Sequence, residues 1–150
     1  MMKKLRGWIL LLIVVGLVGI QFLPVDRQNP PVTGEVVAHD PVMEALRNSC
    51  YDCHSNETRW PWYSRVAPVS WWIAEHVAEG REHLNFSEWQ GMPAEDRDRA
   101  MEEIWGVVEK GAMPLPAYLR MHPEAALTNP QLETLRRWVE GEDPEFPDWN

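Results

Sequence analysis

Two cysteines are all that this 150-residue chain contains. With no second pair, a four-cysteine zinc site is excluded, and His76 with His83 could complete a mixed site only by an accident of folding. Basic residues are sparse as well, with 14 Lys plus Arg against 23 Asp plus Glu. Setting aside Lys3, Lys4 and Arg6 leaves 11 against 23, a formal charge of −12 on everything that follows. That balance disfavours nucleic acid as a partner, and anionic lipid headgroups should repel such a domain as a whole. Repeats and low-complexity runs are absent, and no stretch reads as a confident strand. The amino terminus lacks both a cysteine for lipid attachment and a small-residue cleavage site of the Ala-x-Ala kind.

The two cysteines stand together in Cys50-Tyr-Asp-Cys53-His54. Cys-x-x-Cys-His is the signature of covalent haem attachment. Two thiols at this spacing can add to the two vinyl groups of one porphyrin, and the adjoining imidazole can reach the iron. A thioredoxin-like dithiol would sit at the end of a strand in a βαβ unit. Here the preceding residues, Asp40 to Asn48, read as a short helix. A plain disulfide and half of a zinc site are the remaining rivals.

Met1 to Arg6 is basic, and Gly7 to Leu23 is apolar apart from Gln21. At about 1.5 Å per residue, Leu5 to Leu23 spans about 28 Å, close to the roughly 30 Å hydrocarbon thickness of a bilayer. The run exceeds the usual core of a cleaved signal peptide and ends in Gln-Phe-Leu-Pro, so residues 1–23 are expected as an uncleaved transmembrane anchor. Basic flanks stay on the cytoplasmic side, which puts the remainder outside, in a bacterial periplasm. An oxidising compartment would turn idle thiols into a disulfide, whereas haem attachment consumes them. Residues 24–39 contain three prolines and no periodicity, and are expected as an extended tether reaching about 50 Å.

Residues 40–150 are then one domain, expected to be all-α. Asp40 reads as an N-cap ahead of Pro41, with a helix to about Asn48. Pro68 to Gly80 forms a second helix, with Val69, Trp72, Ile73, His76 and Val77 on one face. Pro93 to Lys110 forms a third, with Met101, Ile104, Trp105 and Val108 inward and Gly111 as its stop. Asn129-Pro130 caps the last, through Glu140, with Leu132, Leu135, Trp138 and Val139 inward and Gly141 ending it. Trp60, Trp62, Trp71 and Trp72 are candidate haem walls or core aromatics, while Trp105 and Trp138 read as core.

His54 is the expected proximal ligand, and the group opposite it separates electron transfer from ligand chemistry. Met113, in Gly111-Ala-Met-Pro-Leu-Pro116, follows a helix stop and is stiffened by Pro114, so it is the preferred sixth ligand. Met92 has similar local chemistry, and His76, His83 or His122 would give a bis-imidazole site. An open position is the last alternative. Met43, Met101 and Met121 read as gap-filling or surface residues.

Cys50 to Thr58, Trp60-Pro-Trp-Tyr63, Ala67-Pro-Val-Ser70, Gly80-Arg81, Leu84-Asn-Phe-Ser87, Trp89, Gly111-Ala-Met-Pro114 and Tyr118 together resemble the bacterial haem-binding domain family. The resemblance implies a cytochrome c-like exported domain behind a signal or anchor, with Cys50 and Cys53 holding haem c, His54 proximal and Met113 distal. Three functions fit: a membrane-anchored monohaem c-type cytochrome passing single electrons to a redox partner with a basic docking surface; a haem sensor or peroxidase-like enzyme with an open or displaceable sixth site; and a haem-stabilised interaction domain.

Overall fold

In a computed structural model of the chain, residues 2–142 are described, and 143–150, the end of the expected domain, lie outside them. The described residues are helical or irregular, with no strand. The first helix, α1 (Met2–Gly19), runs into a 3₁₀ turn at Ile20–Phe22. Lys4–Phe22 is long and apolar enough to cross a membrane, a property shared with signal sequences, and none of it is buried against the rest.

The proline-rich stretch is extended, as expected, but it does not hang free. It forms a strap along the domain, because prolines without N–H groups leave the intervening amides and carbonyls to pair outward. The Gly34 and Val36 amides donate to Ser87 O and Phe86 O at 2.9 and 2.8 Å, and the Gln90 amide donates back to Gly34 O at 3.0 Å. Side chains continue the attachment: Asn56 Nδ2 donates to Pro31 O, Asn29 Nδ2 to Thr58 O and Arg81 to Gln28 O. Val36 is fully buried in the core.

Behind the strap come α2 (Asp40–Ser49), the single turn α3 (Tyr51–His54), α4 (Val69–His83), α5 (Ala94–Glu109), the short α6 (Pro116–Leu119) and α7 (Asn129–Val139). Asp40 is the first helical residue and His39 the cap, so the cap lies one residue earlier than its side-chain type suggests. Thr128, not Asn129, caps α7, because Thr128 and Gln131 satisfy each other's amides in a capping box. Gly111 and Gly141 stop α5 and α7 at φ +65° and +68°. In each case the glycine and the residue after it close the last turn, with the Ala112 amide on Val107 O and the Glu142 amide on Arg137 O.

The core gathers Val36, Val42, Ala45, Leu46, Tyr51, Phe86, Trp89, Ile104, Val108, Leu135 and Trp138. A row of rings runs through it, from Tyr51 to Phe86 (centroids 5.6 Å apart), on to Trp89 (6.0 Å) and Trp138 (6.1 Å). The apolar faces read for α5 and α7 therefore meet here, and Trp105 packs on the same cluster. The face read for α4 divides instead: Val77 is buried, while Val69 and Trp72 are exposed.

Candidate cofactor site

The peptide around the cysteines is held from three directions. Ser55 Oγ donates back to Tyr51 O at 2.7 Å, closing α3. The Phe86 amide donates to His54 O at 2.8 Å, and the Asn56 amide donates to Ser87 Oγ at 2.9 Å. Asn85 links the two segments by donating to Asn56 Oδ1 at 2.9 Å. Ser55, Asn56, Asn85 and Ser87 are all buried, so each of these bonds stands in for water that cannot reach the group. Arg81 adds a clamp. Its Nε donates to Ser55 O at 2.8 Å, and its guanidinium reaches Thr58 Oγ1 and Asn29 Oδ1 at 2.8 and 2.9 Å.

From the third side, α4 lies directly on α3. A Cβ at Gly80 would stand 2.7 Å from Cys53 O, closer than real side chains approach. The glycine read as the end of this helix is therefore inside it, placed where backbone meets backbone, and the helix continues to His83.

That contact delivers the terminal carbonyls of α4 to the imidazole. His54 Nδ1 lies 2.9 Å from Gly80 O and 3.2 Å from Leu84 O. Carbonyls only accept, so Nδ1 carries the proton and donates, and the lone pair belongs to Nε2. Burial pulls the His54 pKa below the ordinary histidine value, against the opposing pull of the two carbonyls. Neutral, oriented and basic at Nε2 is the state a metal ligand requires.

Cys50 and Cys53 are free thiols, each partly exposed. Desolvation, then the neighbouring Cys53, pushes the Cys50 thiol up to about 12, and desolvation, then Asp52, pushes Cys53 up to about 11. Both are protonated at neutral pH, the reverse of the lowered pKa that makes a redox dithiol reactive. Among the described residues no group of three or more His, Cys, Asp or Glu side chains is placed to hold a metal ion unaided.

Cys50 packs on the core, whereas Cys53 faces an open cleft of about 580 Å³, counting the part open to solvent. Trp72, Ile73, His76 and Val77 of α4 line it, together with Pro61 and Tyr63 and, from the chain after α5, Leu115, Ala117, Tyr118, Met121 and His122. A neutral imidazole with a free Nε2, two thiols and a largely apolar cleft fit a haem; of the motif, Asp52 and Cys53 line that cleft, while Cys50 and His54 lie off its wall. Of the candidate tryptophans, only Trp72 lines the cleft. Trp60 ties to the strap through Asn29, and Trp62 and Trp71 point elsewhere.

The opposite side is less tightly resolved into one ligand. Met113 is half-buried after the α5 stop, its amide on Val107 O at 3.3 Å, and it is not on the cleft wall. Met92 is also off the wall, and His83 is exposed at the end of α4. Met121, read from the sequence as a gap-filler or surface residue, lines the cleft and is exposed. His76 lines it too, with Nδ1 donating to Trp72 O at 2.9 Å. His122 has both nitrogens engaged: Nδ1 donates to Glu124 Oε1 at 3.1 Å, and Nε2 accepts from the Tyr63 hydroxyl in a short hydrogen bond. Tyr118 stacks on His122 at 4.4 Å and donates to Asp52 Oδ2 at 2.7 Å. Asp52 also receives the Arg59 amide and Nε, both at 3.1 Å. The middle residue of the cysteine motif is thus a cleft anchor, a role that the motif's spacing gave no sign of.

Comparison with curated proteins and with solved structures returned no match. The family model described as the haem-binding domain matches residues 15–141, from within α1 through the strap to the end of α7. The chain belongs to the haem-binding domain family.

Proposed function

We propose that this protein is a membrane-anchored monohaem c-type cytochrome that transfers single electrons on the outer face of the cytoplasmic membrane, a carrier and not an enzyme. Cys50 and Cys53 would hold one haem c covalently, with His54 as proximal and Met113 as distal ligand. The bound haem would supply a ferric–ferrous one-electron couple. The chain's own work is to orient and shield. Gly80 O and Leu84 O fix the His54 tautomer, Arg81 and the Asn56–Asn85–Ser87 network hold the motif rigid, and the apolar cleft limits water. The observation that carries this reading is the pair of carbonyls on His54 Nδ1, Gly80 O in α4 and Leu84 O just after it. Orientation follows from Lys3, Lys4 and Arg6 on the cytoplasmic side.

One observation favours a second reading, a haem sensor or peroxidase-like enzyme with a displaceable sixth site. The cleft is lined by Met121, His76 and the Tyr63–His122 pair, not by Met113. Ferric spectra of the full-length, haem-loaded protein separate the two. A low-spin spectrum with the weak far-red sulfur-to-iron band, lost in Met113→Leu alone, supports the carrier with Met113. Loss in Met121→Leu instead moves the ligand, and a high-spin spectrum that shifts with cyanide or CO replaces the carrier by the second reading.

A further inference from the structure

The −12 charge of the exported part is not spread evenly. Between Glu57 and Glu75 there is no carboxylate at all, and the charged residues are Arg59 and Arg65. The same stretch carries most of the domain's exposed large apolar side chains: Trp62, at 74 % exposure, with Val66, Val69, Trp71 and Trp72. Trp72 is accounted for by the cleft, which leaves Trp62, Val66, Val69 and Trp71 uncovered. They lie on the 3₁₀ turn Trp62–Arg65, on Val66 that caps it and on the first turn of α4, and the two elements pack together. In a domain so acidic elsewhere, an exposed apolar face calls for a partner; Arg65 adjoins it in sequence, while Arg59 is paired with Asp52.

The position of this face relative to α1 says which partner. Gln21, the one strongly polar residue of the apolar run, grips the loop between the two elements in both directions. Its Nε2 donates to Ala67 O at 3.1 Å, and its Oε1 accepts from the Ala67 amide at 2.9 Å. Arg27 follows, donating to Ser64 O at 3.3 Å. Residues 62–71 are therefore held at the level where the apolar helix ends, beside Phe22 and Leu23, which are themselves exposed. Tryptophan at a membrane boundary places its ring at headgroup depth, and nearby arginines gain from anionic headgroups.

We propose that the face formed by Trp62, Val66, Val69 and Trp71 rests in the headgroup interface of the bilayer that α1 crosses, so that the domain is seated on the membrane and not suspended above it. This rests on the anchor reading of α1. The bulk charge of the domain repels anionic lipid, but the part turned towards it is built from residues 58–74, which carry no carboxylate. Because Pro61 and Tyr63, which line the cleft, flank Trp62 in sequence, the seat also brings that part of the cleft wall close to the lipid surface.

The test uses the full-length, haem-loaded protein in phosphatidylcholine–phosphatidylglycerol nanodiscs, with a phospholipid photolabel reactive at headgroup depth and peptide mass spectrometry as the readout. Labelling of both 5–23 and 60–72 is expected. The Val66→Glu/Val69→Glu variant should lower the 60–72 signal several-fold while leaving 5–23 labelled and the circular dichroism unchanged. Labelling confined to 5–23 overturns the seat and leaves the anchor standing, and cross-links between two copies at 60–72 would then name a second chain as the cover. Labelling at 60–72 without 5–23 keeps the seat and removes the anchor, and labelling at neither removes both.

Discussion

The two sides of the cofactor site are built by opposite means. On the His54 side every group is fixed by something close by: the motif is five consecutive residues, α4 lies on it without a side chain between, and four buried polar residues and Arg81 saturate its backbone. Much of the cleft lining comes instead from the chain between α5 and α7, where only the one-turn α6 and a 3₁₀ turn interrupt the loops. Several of them could meet a cofactor. A rigid platform facing an adaptable one is a division that lets one ligand be constant while the other sets chemistry.

The largest effect that would break this contrast is removal of the thiols. Cys50→Ala with Cys53→Ala should abolish covalent haem staining on a denaturing gel, and persistence of the stain would end the c-type assignment. Next is Gly80→Ala. With Cys53 O in the way, α4 must shift, and thermal unfolding should show a loss of about 2–3 kcal/mol, the scale of overpacking a filled interior. The same change should weaken the hold on His54 and so disturb the spectrum, whereas Met121→Leu should leave stability within about 1 kcal/mol, as an isosteric swap at an exposed site.

Arg81→Ala comes after it, at about 2 kcal/mol, the scale expected when charge-assisted hydrogen bonds are removed from carbonyls and a buried segment. The smallest effect is pH dependence of the haem-free chain. A histidine whose folded pKa lies below its unfolded value binds fewer protons folded than unfolded, so its share of stability is intact above about 6.5 and declines as pH falls below that. His54→Gln should flatten that part of the stability–pH curve. An unchanged slope would mean that His54 is not held neutral by its surroundings.

How much of this was legible beforehand follows the same division. Cys50, Cys53 and His54 announce themselves because covalent chemistry demands fixed spacing. The α5 and α7 faces and their glycine stops were readable because periodicity and positive φ are local properties. Three things were not. The strap's bonds run from backbone to backbone across some fifty residues, and main-chain pairing leaves no mark on an aperiodic, proline-rich sequence. Gly80 looks like a helix end from sequence, since close approach of another backbone is a property of the neighbour. Met121 lacks the glycine stop and the adjoining proline that single out Met113, and only the course of the loop after α5 brings it to the cleft wall.

The strap also decides who travels. A loose sixteen-residue stalk would give the domain a radius of search, but Gln21 at the end of the apolar helix is already bound to Ala67 and Arg27 to Ser64, which leaves no free stretch between the helix and the domain. With α1 in a bilayer, the domain could not reach out to a distant donor or acceptor. Encounters would then depend on lateral diffusion within the membrane plane, or on partners that arrive at the surface themselves.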